Sequence, residues 1–421
     1  MHITIKTPSY TCHCCEVENS LKFLDAFKQL IDKLATEIFA GKDKKISKEH
    51  YKQTADYLTN AAVDGWSKGR KTGVAYNVAD YQYLTMLEAN IHRFSAAKSV
   101  ALVKEMNKAL KANQGSFSAF KNEVDKLGIQ YDGNYLNTEY NFAIATGQNG
   151  GKWLRIKDEK DLFPYVKYQT IGDANVREAH GKLNGKKFKV GSKELNLIAP
   201  PNGWNCRCEL LQVTEDDEAE TFGYEETVNA LQGTPGARKG ESEFDYMKRE
   251  RFNVNRGELQ TVFLENQMYI RSFKERGFGV ADWDVTPYDQ IKQENLPMYD
   301  GQNRDNASAT AWFMSRNVQA PIKDFRSFPV NFPIRTFKSA VSQSARYVDA
   351  IEPVLQLPDE VWLVTDGKNY LYRYIRFYKK EPVMVEVQVG KDEAQNIVWW
   401  GKIGEMHVDK NWRNGVLLYE K

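Results

Sequence analysis

At 421 residues the chain is too long for one ordinary core, and two or three domains is the fair expectation. A hydrophobic share of 42% is enough to build globular cores, while 58 Lys plus Arg against 56 Asp plus Glu, a net of +2, argues against a strongly basic nucleic-acid scaffold. No apolar run approaches the roughly 20 residues that a membrane-spanning helix needs, and the stretch from Met1 to Lys6 lacks the apolar core of a signal peptide; the expected setting is a cytoplasm, or a particle assembled there, with no membrane partner.

The chain begins with a cluster, Cys12, His13, Cys14 and Cys15. These residues could form a small metal site, supply a ligand to a site elsewhere, or stand as a polar tip without metal. With Cys206 and Cys208 they make five cysteines. An odd number in two tight clusters suits metal binding or free thiols better than a disulfide framework.

Helical spacing follows. Leu24, Phe27, Ile31, Leu34 and Ile38 mark a helix over residues 18–39, ended by Gly41. Ser47 is a good N-cap for a second, with Tyr51, Ala55, Leu58, Ala62 and Trp66 on one face. A third runs over residues 81–110, a fourth over 116–127 up to Gly128, and a fifth over 135–146 up to Gly147. Gly147, Gly150 and Gly151 are read as the end of the helical run. His50 and His92 sit on these helices without partner ligands at helical spacing, so both are read as structural.

The pattern then turns to strands: residues 166–170, a hairpin of 188–190 and 195–198 around Gly191-Ser192, and 206–213. Within the last, Cys206 and Cys208 are two apart, so an extended backbone points both sulfurs to one side. With the His180 imidazole they form a soft-ligand set suited to Zn2+. Three ligands leave a tetrahedral site one short; Asp173, a residue from elsewhere or water could complete it. Pro200-Pro201 stiffens the approach, Asn202-Gly203 turns the chain and Trp204 offers a packing surface beside the pair.

The run Pro200-Pro201-Asn202-Gly203-Trp204-Asn205-Cys206-Arg207-Cys208, with Arg177 and His180 upstream, resembles the phage Mu F family of head-morphogenesis proteins. The resemblance covers roughly residues 47–213. It implies a minor component of the phage head at the portal vertex, needed for head assembly. The implied partners are the portal protein and other capsid or head proteins. The implied location is the virion, with the host cytoplasm during assembly.

Residues 214–226 are acidic and 232–241 carry Gly233, Pro235, Gly236 and Gly240, the best linker in the chain. Leu259, Val262, Phe263 and Met268 suggest one helix within residues 243–279, and 280–306 read as a long loop. After a helix over 338–351, residues 361–365, 370–378, 382–389, 397–403 and 416–419 read as strands of a meander. In the third, Val383, Val385, Val387 and Val389 share a face that must be covered. The opposite face, with Arg373 and Glu386, reads as polar and open.

Residues 357–420 resemble the phage-borne nuclease-like domains of the barnase, EndoU, colicin and RelE type, which implies metal-independent RNA cleavage. Such chemistry needs a base for the ribose 2′-OH, an acid for the leaving oxygen and cations for the phosphorane. Glu386 is the candidate base, and His407 is a candidate as a histidine, the side-chain type whose ordinary pKa lies near working pH. Arg373, Arg376, Lys402 and Arg413 are candidates for phosphate, and Tyr374 or Tyr378 for base stacking. Residues 361–421 hold ten basic against eight acidic side chains, so composition leaves open whether RNA, packaged DNA or neither is bound.

The fold class expected is α+β. Residues 1–46 form an N-terminal helical segment, 47–213 a helical bundle with a small β region, 214–300 a connector, and 301–421 a helix plus antiparallel sheet. Two functions compete: a structural head protein, or a nuclease toxin that the Mu F-like part delivers.

Overall fold

The computed structural model describes residues 13–70, 75–113, 115–302, 304–317 and 321–421, with side chains from Asp25 onward except at Asn317. The Cys12, His13, Cys14 and Cys15 cluster lies outside the described side chains.

The helical part opens with α1 (His13–Phe39) and α2 (Lys48–Arg70), where the His50 N–H donates to Ser47 Oγ as the capping residue type predicts. In α3 (Val78–Ala112), Asn77 and Asp80 close a capping box. α4 (Phe117–Gly128) does not stop at its glycine: Ile129–Tyr135 continue as a π-helical segment into α5 (Leu136–Asp158). Gly147, Gly150 and Gly151 lie inside α5, contrary to the sequence reading. They pack rather than punctuate. A Cβ on Gly147 would come 2.0 Å from the Ala62 carbonyl oxygen, and one on Gly65 would come 2.1 Å from that of Ile144. α2 and α5 therefore meet backbone to backbone, where only a hydrogen fits.

Next come β1 (Tyr165–Gln169), α6 (Glu178–Leu183), β2 (Lys187–Lys189), α7 (Lys193–Ile198) and β3 (Glu209–Val213), with an antiparallel sheet in the order β2-β1-β3. The expected partner strand at 195–198 is a helix instead: the Leu195 N–H donates to Ser192 Oγ, and Leu195 and Ile198 bury one turn apart. The expected linker is structured. It contains α8 (Tyr224–Gln232), α9 (Glu243–Glu250) and α10 (Arg256–Leu259), and Pro235 pairs with Ser242 across a turn. The single helix expected in 243–279 is broken; Val262 and Phe263 bury, while Leu259 and Met268 stay exposed.

The remainder comprises 3-10 turns between Ile270 and Asn295, then α11 (Asn306–Asn317), β4 (Ile322–Lys323), β5 (Pro329–Val330), α12 (Ile334–Ser344) and α13 (Ile351–Gln356). A second antiparallel sheet is built from β6 (Glu360–Thr365), β7 (Tyr370–Arg376), β8 (Val383–Gly390), β9 (Glu393–Lys402) and β10 (Val416–Glu420). Its order is β10-β6-β7-β8-β9, a meander whose last strand returns beside the first. The fold class is α+β, helical toward the N-terminus with a five-stranded antiparallel sheet at the C-terminal end.

Two compact units divide the chain. The first holds residues up to Lys52, Tyr76–Leu127 and Met268–Lys421; the second holds Gln53–Ala75 and Gly128–Gln267. Residues 47–213 thus contribute to both units.

In the first unit α3 lies on the sheet face that carries Tyr372, Tyr374, Val385 and Val387, all fully buried. Gln82 Nε2 donates to the Gly390 carbonyl at 2.6 Å, and the Tyr372 hydroxyl donates to the Thr85 carbonyl at 3.0 Å. Arg326 is paired with Glu88 of α3 and with Asp324 at 2.7 Å, and the Tyr374 hydroxyl donates to Asp324 at 3.0 Å. Trp400 extends the same face toward Phe337, and its ring N–H donates to the Ser344 carbonyl.

Candidate metal centre and nuclease-like face

The first site lies in the second unit. His180 sits on α6, and Cys206 and Cys208 lie on the approach to β3; all three are buried. Their candidate ligand atoms all fall within 4.8 Å of one another. His180 Nδ1 faces the sulfurs, 3.5 Å from Cys208 Sγ. Both cysteines are free thiols.

The loop that delivers them is tied at several points. Asn202 is fully buried; its Oδ1 accepts from the Tyr168 hydroxyl at 3.2 Å and from Cys206 Sγ at 3.1 Å. Arg177 lies against Gly203, where a Cβ would meet its guanidinium at 2.6 Å, and donates to the Trp204 carbonyl at 2.8 Å. Trp204 packs on Phe142 and Phe252. The motif Arg177, Asn202, Gly203 and Trp204 therefore forms the frame that aims the sulfurs. The hydrogen bond from Cys208 pulls the Cys206 thiol well down, and the same contact pushes the Cys208 thiol up.

One nitrogen and two sulfurs, buried and converging, fit a zinc ion by donor chemistry. Asp173 is placed differently from the expected fourth ligand. It is a partly exposed carboxylate bound bidentately by Arg207 at 2.6 and 2.8 Å, which holds its carboxyl below the usual range. A cavity of about 510 Å³ adjoins the centre, with Asn141, Gln148, Gln169, Thr170, Cys206 and Cys208 in its wall. Spacing gave no sign of Glu243 at the N-terminus of α9, a buried carboxylate whose Oε1 is 3.9 Å from His180 Nε2.

The nuclease-like face lies in the first unit. Arg373 and Glu386 are cross-strand neighbours on β7 and β8, with Arg373 Nε donating to Glu386 Oε1 at 3.0 Å. The face is not open. Residues 404–414 cross it: Arg373 lies under Trp412, its Nη1 within 3.3 Å of Asn414 Oδ1, and Trp412 stacks on Trp399. Alternation along a strand separates two faces but does not say whether the polar one meets water or a polar loop.

The other candidates scatter. Arg413 is fully buried and bound to Glu360 and Asp409. Arg376 donates to the carbonyls of Pro353 and Leu357, and Lys402 to that of Lys380. His407 is exposed on a 3-10 turn, Glu405–His407. Tyr374 and Tyr378 are both buried. Of the six predicted catalytic residues, only Arg373 and Glu386 are in contact.

Two segments of the chain match family models: residues 101–211 match the family described as "Phage Mu protein F like protein", and residues 334–420 match "phage-Barnase-EndoU-ColicinE5/D-RelE like nuclease2". The chain is similar to the "Putative capsid assembly protein F" of Escherichia phage Mu, 33% identical over 75 residues, which is 18% of this chain and 17% of that protein. It is also similar to the "Mu-like prophage FluMu F protein" of Haemophilus influenzae, 27% identical over 70 residues and 17% of each chain. The match thus spans 17% of the length of these curated relatives. No solved structure matches. Among the described residues no helix is long and apolar enough to cross a membrane.

Proposed function

We propose that the chain is a head-morphogenesis protein of a phage or prophage, acting at the portal vertex with the portal protein and other head proteins as partners, and carried in the virion. The observation that carries this reading is the coincidence of the His180, Cys206 and Cys208 cluster with the Mu F-like segment. In this reading the three residues hold Zn2+ through His180 Nδ1 and the two sulfurs. Zinc, when bound, supplies a cross-link between α6 and the start of β3. A three-stranded sheet with strands of three to five residues has little core of its own, so the link sets its stability.

The test joins metal analysis of the full chain with mass spectrometry of particles. One zinc per chain, lost together with thermal stability in Cys206→Ser/Cys208→Ser, supports the zinc reading; no zinc in pure protein overturns it. The chain's absence from purified particles would overturn the head-protein reading.

A nuclease role is the second reading, favoured by the Arg373–Glu386 pair inside the nuclease-like match. In this reading Glu386 is the base for the ribose 2′-OH, Arg373 the phosphate ligand and His407 the acid, and residues 404–414 must move off the face before RNA reaches the pair. Glu386→Gln and His407→Ala in the full chain are each expected to slow RNA cleavage by about 100-fold or more. An inert wild-type protein removes this role and, with it, the toxin alternative.

A further inference from the structure

We propose that Glu243 is the positioning residue that holds the His180 imidazole in its metal-ligating tautomer, an inference that rests on the zinc reading above. The ring presents Nδ1 to the sulfurs, 3.5 Å from Cys208 Sγ. Its other nitrogen, Nε2, faces Glu243 Oε1 at 3.9 Å. Both atoms are buried, and among the described residues neither has a hydrogen-bond partner. A ring nitrogen and a carboxylate oxygen left unpaired in the interior are each costly, and buried polar groups are seldom left so.

The distance decides how they are satisfied. A bridging water needs roughly 4.5 Å or more between the groups it joins, from two hydrogen bonds of ordinary length, so none fits. A direct N–H···O bond needs a closure of about 1 Å, within reach of a small ring or side-chain rotation. The tautomer follows. A neutral imidazole carries one proton; when Nδ1 gives its lone pair to a metal, the proton is on Nε2 and needs an acceptor. Glu243 Oε1 is that acceptor, completing a carboxylate–imidazole–metal relay.

Glu243 does not join the ligands itself, because it is outside the group whose donor atoms lie within 4.8 Å of one another. Its own position is fixed. Its N–H donates to the Thr234 carbonyl at 2.9 Å, Ser242 caps α9, and Met247 anchors that helix in the core. The glycine-rich stretch that reads as a linker is therefore the arm that brings a carboxylate to the back of the histidine.

The experiment uses the full chain, with zinc affinity read by competition against a chromophoric chelator and the ligand field by the absorption spectrum of the cobalt-loaded protein. Glu243→Leu removes the acceptor at similar volume; Glu243→Gln keeps a neutral oxygen acceptor and is the conservative variant should the first fold poorly. Zinc affinity is expected to fall 10- to 100-fold in Glu243→Leu and less in Glu243→Gln, with one zinc still bound and an altered cobalt spectrum. Histidine 15N NMR of the zinc-loaded wild type is expected to show the His180 proton on Nε2. Equal affinity in all three proteins, or metal on Nε2, overturns the proposal while leaving the zinc site standing. A wild-type protein that binds no zinc removes both.

Discussion

Arg413 and Glu360 pair in the interior, both side chains buried: Nη2 is 2.5 Å from Oε1, and Nε donates to Oε2 at 2.8 Å. Trp362 donates its ring N–H to the same Oε2, and Asp409 takes the remaining edge of the guanidinium at 2.5 Å. An arginine so fully engaged pins residues 404–414 across β6 and leaves no free edge for a phosphate. Arg413→Ala is expected to destabilise the full chain by about 3–5 kcal/mol, because it strands a buried carboxylate. Replacing both partners, Arg413→Met with Glu360→Leu, is expected to recover much of that loss. Urea unfolding of the three variants checks it; a double variant no better than the single one would show the pair itself to be stabilising.

The same sheet depends on α3. Tyr372, Tyr374, Val385 and Val387 bury their side chains on the face that α3 covers, and Gln82 and Thr85 bond across to Gly390 and Tyr372. At about 1.5–3 kcal/mol for each large apolar side chain, exposing these four removes an amount comparable to the whole stability of a domain, about 5–15 kcal/mol. Residues 300–421 expressed alone are therefore expected to melt without cooperativity and to bind a hydrophobic dye, while the full chain melts sharply. A cooperative transition in the fragment would show that the helix is dispensable.

That dependence also shows what was legible in the sequence. The five strands were, because Val383, Val385, Val387 and Val389 alternate with Met384, Glu386 and Gln388 and the turns are marked by Asp366-Gly367 and Gly390-Lys391. The convergence of His180, Cys206 and Cys208 was legible from residue type and the Cys-x-Cys spacing. What covers each face was not. Alternation is local, whereas α3 lies more than 250 residues from β7. Glu243 was hidden for the same reason: a carboxylate 63 positions from His180 bears no mark of its neighbour. Gly147 and Gly151 misled because a helix-breaking residue and a close-packing residue are the same residue, and only the facing Ala62 and Trp66 backbones tell them apart.

The crossing of α2 and α5 supplies a sharp contrast between glycines. A methyl on Gly147 would sit 2.0 Å from a backbone oxygen that cannot rotate away, so Gly147→Ala must push two helices apart. Overpacking of that kind costs about 1–3 kcal/mol, and more where the obstacle is main chain. Gly133, in the π-helical segment, has nothing among the described residues within 4 Å of its added Cβ. Gly133→Ala is expected to be neutral or to stabilise by up to about 1 kcal/mol, since alanine loses less conformational freedom on folding. Thermal melts of the two variants should move in opposite directions or differ by several degrees; equal shifts would mean that α2 and α5 are not so tightly apposed in solution.

His92 gives the chain an acid sensitivity whose sign follows from its surroundings. Burial, with the charges of Arg326 and Lys52 added, pushes its pKa down from 6.5 to about 3. The Tyr51 hydroxyl donates to the Leu417 carbonyl at 2.9 Å, so its oxygen is left to accept the Nδ1–H of a neutral imidazole at 2.7 Å. Below pH 6.5 the unfolded chain takes up a proton at this residue that the folded chain refuses until about pH 3. Stability from this group is thus complete above pH 6.5 and falls with pH across that window, by at most about 1.4 kcal/mol per unit. His92→Gln keeps a donor for Tyr51 and removes the titration. Wild type and variant compared by urea unfolding at a series of pH values cancel the carboxylates common to both. Their stability difference is expected to be flat above pH 7 and to shift steadily against the wild type from pH 6.5 to 4. Parallel curves through that range would mean that His92 charges freely in the folded protein.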